Sequence, residues 1–205
     1  MGTDKAELVV DGETLLERAI RCATAAGARS IVVVGGSVRT ATDQVRFIED
    51  SIPGSGPLAA LIDGLRALSS DHPEAVPGVA QSVAVFVAVD HPDLQPTELV
   101  TLARRLQLLP DQVMAVVPEV NGRSQPLHGA YRLALAGPLA DVLAAGERSL
   151  WGALSTFAVD RPDRSGEPGA VSYRDLDDPR QFAEYNAEHA EIRRTIQART
   201  PEGGR

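Results

Sequence analysis

Short apolar runs alternate along this chain with stretches in which leucine and alanine recur at helical spacing. The clearest run, residues 82–89, is rich in β-branched side chains and predicts a strand buried on both faces of a sheet. This alternation predicts a parallel, doubly wound α/β sheet with right-handed crossovers. The predicted strands cover residues 30–34, 46–50, 82–89 and 113–117, and the predicted helices cover residues 15–27, 58–68 and 99–109.

The pattern changes after residue 117, where strands and helices no longer alternate regularly. We expect one main domain at residues 1–178, followed by a C-terminal helix and frayed tail at 179–205. The elements predicted after residue 117 are an extended segment at 125–132, a helix at 133–145, a short helix running into a strand at 150–158, a mobile loop at 161–169, a polar helix at 181–198 and a frayed end at 199–205.

The apolar run at 82–89 ends at a carboxylate, Asp90, and Pro92 forbids further pairing within a sheet. In open α/β sheets, ligands bind just outside the carboxyl ends of the strands, which is where Asp90 is expected to lie. The alternative is that Asp90 only caps a turn, since aspartate is common in turns. The pattern alone leaves both interpretations open.

Composition narrows the class of protein. The 205 residues carry a formal net charge of −8 and only 4% aromatic side chains, which argues against a nucleic-acid-binding surface. The single cysteine, Cys22, suits a reducing cytoplasm. No apolar run approaches the roughly 20 residues of a membrane span, and no signal-peptide pattern opens the chain. We expect a cytoplasmic protein without a membrane partner, either a monomer or a weak homo-oligomer.

Two glycines, Gly54 and Gly56, precede the helix predicted from Leu58. They would let the backbone approach a ligand, and the helix N-terminus offers free N–H groups to an anion. The alternative is an ordinary strand-to-helix loop. No Gly-Lys-Ser/Thr follows, the four histidines have no zinc-like spacing, and Gly-x-Ser-x-Gly is absent. These absences in the sequence remove the P-loop, structural zinc and usual serine hydrolase interpretations.

Several short segments occur together in the order typical of one enzyme family. They are Met1-Gly-Thr-Asp-Lys5, residues 50–58 (Asp-Ser-Ile-Pro-Gly-Ser-Gly-Pro-Leu), Val89-Asp-His-Pro92, residues 122–127 (Gly-Arg-Ser-Gln-Pro-Leu), Ala130-Tyr-Arg132, residues 146–150 (Gly-Glu-Arg-Ser-Leu) and residues 175–179 (Asp-Leu-Asp-Asp-Pro). Over residues 1 to about 185, the chain resembles the molybdenum cofactor guanylyltransferase family. That family belongs to the Rossmann-like nucleotidyltransferases, whose mostly parallel sheet is flanked by helices.

The resemblance implies transfer of GMP from GTP to molybdopterin, with release of pyrophosphate and with Mg²⁺ as the cofactor. Several negative charges meet in such a reaction, so the protein must position and neutralise them. Asp177 is the preferred second metal contact, and Asp175 is the less favoured choice. The implied roles are catalysis by Lys5 and Asp90, nucleotide binding by Lys5, Asp50, Gly54, Gly56 and Asp90, substrate binding by Arg123, Gln125 and Arg148, and metal ligation by Asp90 and Asp177.

Two departures from the family pattern leave alternatives open. The family opens with a strand and a Leu-Ala-Gly-Gly loop, whereas this sequence begins inside the next motif. We therefore expect a fold without its first strand, arising from a start codon placed too far downstream or from a fragment. The second departure is His91, where the family has methionine.

Three other functions stay possible. The first two are a molybdopterin cytidylyltransferase and a sugar-phosphate nucleotidyltransferase. Cytidylyltransferases usually carry a Gly-x-Ser-Ser-Ser-like turn where this chain has Gly54-Ser-Gly-Pro-Leu58, which favours the guanylyl assignment. The third is an inactive scaffold or regulatory protein that kept the fold.

Overall fold

The computed structural model describes residues 4–36, 41–52, 54–70 and 82–199. Residues 200–205 of the predicted frayed end lie outside the described residues. The strands are β1 Val9–Val10, β2 Glu13–Thr14, β3 Ile31–Val34, β4 Val45–Ile48, β5 Val83–Val87, β6 Val113–Val116, β7 Glu119–Val120, β8 Arg123–Ser124, β9 His128–Arg132 and β10 Ala158–Asp160. The α-helices are α1 Leu15–Ala25, α2 Gly56–Ser70, α3 Pro96–Leu108, α4 Ala136–Ala144, α5 Leu150–Leu154 and α6 Pro179–Arg199, with 3₁₀ helices at Lys5–Glu7, Leu133–Leu135 and Pro168–Tyr173.

Helix α1 forms where the sequence predicts it because its two ends carry strong local signals. The Thr14 hydroxyl accepts from the Glu17 backbone N–H at 3.1 Å, and the Glu17 carboxylate accepts from the Thr14 N–H at 2.8 Å, which completes a capping box. Gly27, with φ +83°, follows the last turn in the left-handed region that glycine favours. Cys22 is buried within α1, and burial raises the pKa of its thiol to about 11. This cysteine is therefore a core side chain.

The central sheet has four strands in the order β10-β6-β9-β5. Strands β10 and β6 are parallel, whereas β9 lies antiparallel to both β5 and β6. The α/β class is confirmed, but the doubly wound parallel arrangement is corrected to a mixed sheet. The cause is the connection from β6 to β9, residues 117–127, which contains the hairpin β7–β8 and no helix. A parallel return needs a longer, usually helical crossover, so the chain returns antiparallel.

Helices cover both faces of this central sheet. Ala115 of β6 belongs to a core shared with α2, α4 and α5, while the next residue, Val116, packs in a second core against α3. Successive side chains of a strand point to opposite faces, so this division is the one a three-layer α/β domain requires. The buried side chains of the larger core include Leu58, Leu61, Ile62, Leu65, Tyr131, Leu135, Leu139 and Leu154.

Strands β3 and β4 form a separate parallel pair. The amides of Ile31 and Gly35 donate towards β4 at 2.8 and 2.9 Å. Because backbone direction alternates along a strand, the N–H and C=O groups of Val32 and Val34 point to the other edge of β3. Within the described residues, no strand pairs with that edge.

Strand β5 likewise has one edge without a strand partner in the part of the chain that the structure describes. The Leu133 N–H donates to the Ser82 carbonyl and the Ala88 N–H to the Leu127 carbonyl, so even-numbered residues bond to β9. Phe86 packs against the larger core on one face of β5 and Val85 packs against α3 on the other, so both faces are covered as predicted, although all five β5 residues are partly exposed. The apolar pattern is correct for a strand, but it cannot report an unpaired edge. That edge carries the backbone groups of Val83, Val85 and Val87.

A buried arginine, Arg132, joins β9 to the end of α3. Its side chain is 3% exposed and donates to the carbonyls of Val113 at 2.8 Å, Leu109 at 2.9 Å and Leu106 at 3.1 Å. The last carbonyls of a helix lack partners within the helix and carry its negative dipole end. The guanidinium therefore donates hydrogen bonds to carbonyls at the end of α3, and its positive charge offsets the negative end of the helix dipole.

Helix α6 begins at Pro179, the first residue of the predicted C-terminal segment. Its Tyr185 is fully buried against Val10 and Leu176, and the Tyr185 hydroxyl donates to Oδ1 of Asp93 at 2.6 Å. The division at residue 178 stays a prediction, but this helix is attached to the body by a small core. No helix among the described residues is long and apolar enough to cross a bilayer.

Candidate active site

Asp90 lies just beyond the carboxyl end of β5, in a turn that follows Val87. Its side chain is 18% exposed. The backbone carbonyl of Asp90 accepts a hydrogen bond from the Leu176 N–H at 3.0 Å, which brings the segment before α6 against the end of the strand. Ligands of α/β sheets are expected here, just beyond the carboxyl ends of the strands.

Lys5 connects the two aspartates of this site. Its Nζ lies 2.8 Å from Oδ2 of Asp90 and 3.1 Å from Oδ1 of Asp177. The 3₁₀ helix that carries Lys5 is capped by Asp4, whose Oδ1 accepts from the Ala6 N–H at 3.0 Å. Residues from the first turn, the end of β5 and the start of α6 therefore meet in one cluster.

The charge of Lys5 is stabilised by its position. Burial has the largest single effect on the pKa of Lys5 and lowers it. The hydrogen bonds to Asp90 and Asp177, with the negative charges of these carboxylates, outweigh burial and raise the pKa above its ordinary value. At neutral pH the side chain is a permanent cation, suited to contact a phosphate.

A cavity of about 120 Å³ opens between the end of β3 and the end of β5. It is lined by Asp4, Leu16, residues 33–36 and Val89, among others. Asp50 stands at its margin, because a Cβ built on Gly35 would lie 3.0 Å from Oδ2 of Asp50. A side chain at position 35 would force this carboxylate to shift by a few tenths of an ångström, so Gly35 allows the close approach of Asp50.

Gly54 and Gly56 occupy the loop that leads into α2, with φ angles of +77° and +74°. Both conformations favour glycine, and Gly56 is the first residue of the helix. The loop is fastened to α2 through Ser51, whose N–H and hydroxyl each donate to the Asp63 carboxylate at 2.9 Å. Pro53 of the same loop lies outside the described residues.

The three predicted substrate-binding residues are not joined to the Lys5 cluster by hydrogen bonds within the described residues. Arg123 is exposed on hairpin β7–β8, and Gln125 follows that hairpin on the way to β9. The hydrogen bond from Ala88 to Leu127 places this turn at the same end of β5 as Asp90.

Arg148 lies elsewhere, beside a groove of about 290 Å³ between α2 and α4. Its guanidinium donates to the Leu143 carbonyl at 2.7 Å. Ser51 and Ile52, the residues directly after Asp50, line the same groove. Arg148 and the residues that follow Asp50 therefore border one groove on the flank of α2.

Asp90 and Asp177 form a donor set that suits Mg²⁺. Carboxylate oxygens are the ligands this ion prefers, and one or two of them usually act together with phosphate oxygens and water. The two carboxylates already share a cation, the ammonium of Lys5. Within the described residues, no group of three or more histidine, cysteine, aspartate or glutamate side chains comes together as metal ligands. The remaining ligands would therefore come from the substrate and water.

One buried charge near the site escaped the sequence analysis. Glu98 in the first turn of α3 is 2% exposed and pairs with Arg164. The sequence did carry a signal, because Glu98 precedes Leu102 by four residues and so borders the apolar stripe of the helix. Its partner, Arg164, lies in the segment predicted as a loop at 161–169. This segment is irregular until a 3₁₀ helix begins at Pro168, and the ion pair anchors it to α3.

A mixed sheet covered by helices, with a lysine and two aspartates at the carboxyl end of β5, agrees with a nucleotide-transferring α/β enzyme. The sequence profile of the MobA-like NTP transferase domain matches residues 1–164. The protein is a nucleotidyltransferase. It belongs to the MobA-like NTP transferase domain family, as the resemblance of its motifs predicted.

Individual relatives agree with this assignment. The chain is 32% identical over 152 residues to a "Probable molybdenum cofactor guanylyltransferase" from Chloroflexus aggregans, covering 73% of this chain and 67% of that protein. It superposes with a TM-score of 0.70 on the molybdopterin-guanine dinucleotide biosynthesis protein A from Archaeoglobus fulgidus, at 18% identity over 93% of this chain and 92% of the other.

A second solved structure has the same fold. The 2-C-methyl-D-erythritol 4-phosphate cytidylyltransferase from Thermus thermophilus gives a TM-score of 0.64, at 18% identity over 92% of this chain and 95% of the other. At such low identity, both structures show the fold alone. They confirm the Rossmann-like nucleotidyltransferase architecture. The nucleotide base and the acceptor must be inferred from the residues of this chain.

Proposed function

We propose that this protein transfers GMP from GTP to molybdopterin and releases pyrophosphate, with Mg²⁺ as its cofactor. The observation that carries the proposal is the Lys5–Asp90–Asp177 cluster beside the cavity at the end of β5. The cluster combines a permanent cation with two carboxylates at the carboxyl ends of the strands, where nucleotides bind in this class of fold.

The reaction requires charge neutralisation above all. A phosphate oxygen of molybdopterin attacks the α-phosphorus of GTP and forms a new P–O bond. The bond from the α-phosphorus to the oxygen leading to the β-phosphate breaks, and pyrophosphate leaves with its electron pair. Because all the reacting groups are anionic, positioning and electrostatic stabilisation are the main tasks of the protein.

Each residue of the cluster has a distinct part in this proposal. Lys5 contacts the triphosphate with its ammonium group. Asp90 would hold Mg²⁺, with Asp177 as the second carboxylate contact, and the bound ion would neutralise phosphate oxygens. Asp50, held against Gly35 at the cavity margin, contributes to nucleotide binding.

The remaining proposed contacts surround the cluster. Gly54 and Gly56 bring the backbone before α2 close to the nucleotide, and the N–H groups of the first turn of α2 favour an anion there. Arg123 and Gln125 on the hairpin side, and Arg148 on the α2 side, are the candidates to bind the anionic pterin.

Product analysis in one competition assay tests the proposal. The protein is given equal concentrations of GTP and CTP with molybdopterin and Mg²⁺, and the dinucleotide products are separated. We expect the guanine dinucleotide to dominate, because the loop at 50–58 resembles the guanylyl branch of the family. A dominant cytosine product would establish a cytidylyltransferase instead. A parallel reaction supplies a sugar phosphate in place of molybdopterin. Transfer to the sugar phosphate alone would support a sugar-phosphate nucleotidyltransferase, and no transfer to either acceptor would support an inactive scaffold or regulatory protein.

A further inference from the structure

Glu98 is a buried carboxylate that the proposed chemistry does not use. Its Oε1 accepts from Nε of Arg164 at 3.0 Å, and its Oε2 accepts from a terminal nitrogen of the same guanidinium at 2.6 Å. The Tyr173 hydroxyl also donates to Oε1 through a short hydrogen bond. Burial, followed by the bond to Glu98, raises the pKa of Tyr173, so its proton stays available for this contact.

The backbone around this ion pair leaves no space for adjustment. A Cβ on Gly169 would overlap Oε2 of Glu98 and lie 3.1 Å from the guanidinium of Arg164. The 3₁₀ helix that contains Gly169 therefore lies directly on the ion pair. Position 169 requires glycine for this close approach and not for its φ angle.

From this anchor the chain continues to the active site along residues 164–177, here called the strap. The Ser172 hydroxyl accepts from the Gln95 N–H at 3.0 Å, and Nδ1 of His91 lies 3.2 Å from the Arg174 carbonyl. The hydrogen bond from Leu176 to the Asp90 carbonyl comes next, and the strap ends at Asp177, which contacts Lys5. The strap thus joins a buried ion pair on α3 to one of the two carboxylates of the site.

We propose that Glu98 is a positioning residue, which fixes the strap through Arg164 and Tyr173 and so sets the place of Asp177 relative to Asp90. This inference rests on the proposed function of the same site. A buried ion pair is a weak source of stability, because desolvation of both charges opposes their attraction. It does select one geometry, since the bidentate contact and the Tyr173 hydroxyl must all be satisfied together.

The test compares Glu98→Gln with the unchanged protein in two measurements. The first is the exchange rate of the Leu176 amide hydrogen, which reports directly on the contact between the strap and Asp90. The second is the Mg²⁺ concentration that gives half-maximal activity. We expect faster Leu176 exchange and a rise in half-saturating Mg²⁺ of roughly 10- to 100-fold, the range found when a residue supporting a metal ligand is lost.

A matched control is present on the same helix. Arg105 of α3 forms an ion pair with Asp160 of β10, outside the strap. Asp160→Asn removes a second bidentate arginine–carboxylate contact, a more exposed one, and should leave both measurements unchanged. If Asp160→Asn and Glu98→Gln have equal effects, Glu98 acts only on general stability and the proposal is overturned.

A double-variant cycle tests whether Glu98 acts through Asp177. Asp177→Asn should raise half-saturating Mg²⁺ by itself without changing Leu176 exchange. Glu98→Gln added to Asp177→Asn should then produce no further rise in the Mg²⁺ requirement. A full additive rise would contradict the proposal.

Two further arrangements keep the test decisive. If Glu98→Gln does not fold, Tyr173→Phe removes a single hydroxyl from the same contact and should shift both measurements in the same direction. The exchange of the Leu176 amide can be measured without substrate. It therefore tests the positioning role of Glu98 independently of the proposed guanylyl transfer. Faster Leu176 exchange in a protein without guanylyl transfer would retain the positioning role and reject the proposed function. Unchanged exchange in an active Glu98→Gln protein would reject the positioning role alone.

Discussion

Nζ of Lys5 lies 2.8 Å from Oδ2 of Asp90, although 85 residues separate them along the chain. This contact holds the first described turn against the end of β5, where the site lies. Asp177 approaches the same ammonium group from the other end of the chain. A cation shared by two carboxylates is the central feature from which the following predictions are made.

Asp90→Asn should lower turnover by about 10²- to 10³-fold, the scale of losing one charge-stabilising group, while the thermal melting temperature changes little. The carboxylate is partly exposed and is proposed to contact Mg²⁺. The matched control is Asp178→Asn, because Asp178 accepts the amide hydrogen bonds of Arg180 and Gln181 at the start of α6 and asparagine caps a helix equally well. Near-normal turnover in Asp90→Asn would show that this residue is not the principal metal ligand.

Gly35→Ala should raise KM for the nucleotide, because its new Cβ would lie 3.0 Å from Oδ2 of Asp50 and displace this carboxylate. Gly27→Ala provides the control. Gly27 has a similarly positive φ, but nothing lies within 4 Å of its Cβ position. Both variants should lose about 1 kcal/mol of unfolding free energy from backbone strain. Steady-state kinetics and urea unfolding separate the two effects, and an equal KM in both variants would refute the role given to Asp50.

His128 should make the protein less stable in acid. Burial, and then the neighbouring His91, lower the pKa of His128 to about 3, against about 6.5 in an unfolded chain. The folded state therefore keeps the ring neutral while the unfolded state takes up a proton as the pH falls below 6.5. The stability present at neutral pH is lost progressively between pH 6.5 and pH 3.

The test of this pH dependence is His128→Phe. Relative to this variant, the unchanged protein should lose roughly 2–3 kcal/mol of unfolding free energy between pH 7 and pH 4.5. Urea unfolding at both pH values provides the measurement, and the difference between the two proteins cancels the titration of other groups. Two stability curves that run parallel across this interval would mean that His128 is not held neutral by the fold.

The open edges of β3 and β5 should be visible in amide hydrogen exchange. Val33 lies on the side of β3 that bonds to β4, whereas Val32 and Val34 point to the edge without a strand partner among the described residues. We expect the latter two amides to exchange faster than the former. In β5, the faster amides should be those of Val83, Val85 and Val87. Uniform protection along either strand would show that another segment pairs with these edges.

The sequence predicts this fold best where local signals decide it. Thr14, Glu17 and Gly27 specify where α1 begins and ends, and the structure uses all three. The mixed sheet is different, because the direction of β9 depends on the length and hairpin of the connection before it. The half-burial of β5 could not be predicted either, since an apolar run reports the faces of a strand and not its edges.

The site divides in the same way. The apolar pattern made Asp90 a candidate, because this residue ends a clear strand, but the family motifs were needed to prefer a ligand site over a turn cap. The contact between Lys5 and Asp177 spans 172 residues, and the family motifs implied a role for each residue but not the contact between them. Glu98 was missed because its partner, Arg164, lies in a segment whose Pro, Gly and charged composition indicates a loop. The ion pair that anchors this loop joins residues that are distant along the chain, so no local sequence pattern predicts it.

The fate of a labelled phosphate tests the central claim most directly. The protein is incubated with Mg²⁺, molybdopterin and GTP that carries ³²P at either the α- or the γ-position. The account predicts that the α-label enters the pterin product while an equal amount of γ-label is released as pyrophosphate, and that Asp90→Asn suppresses both. Release of the γ-label as inorganic phosphate, or an α-label that never enters the pterin, would contradict nucleotidyl transfer to molybdopterin.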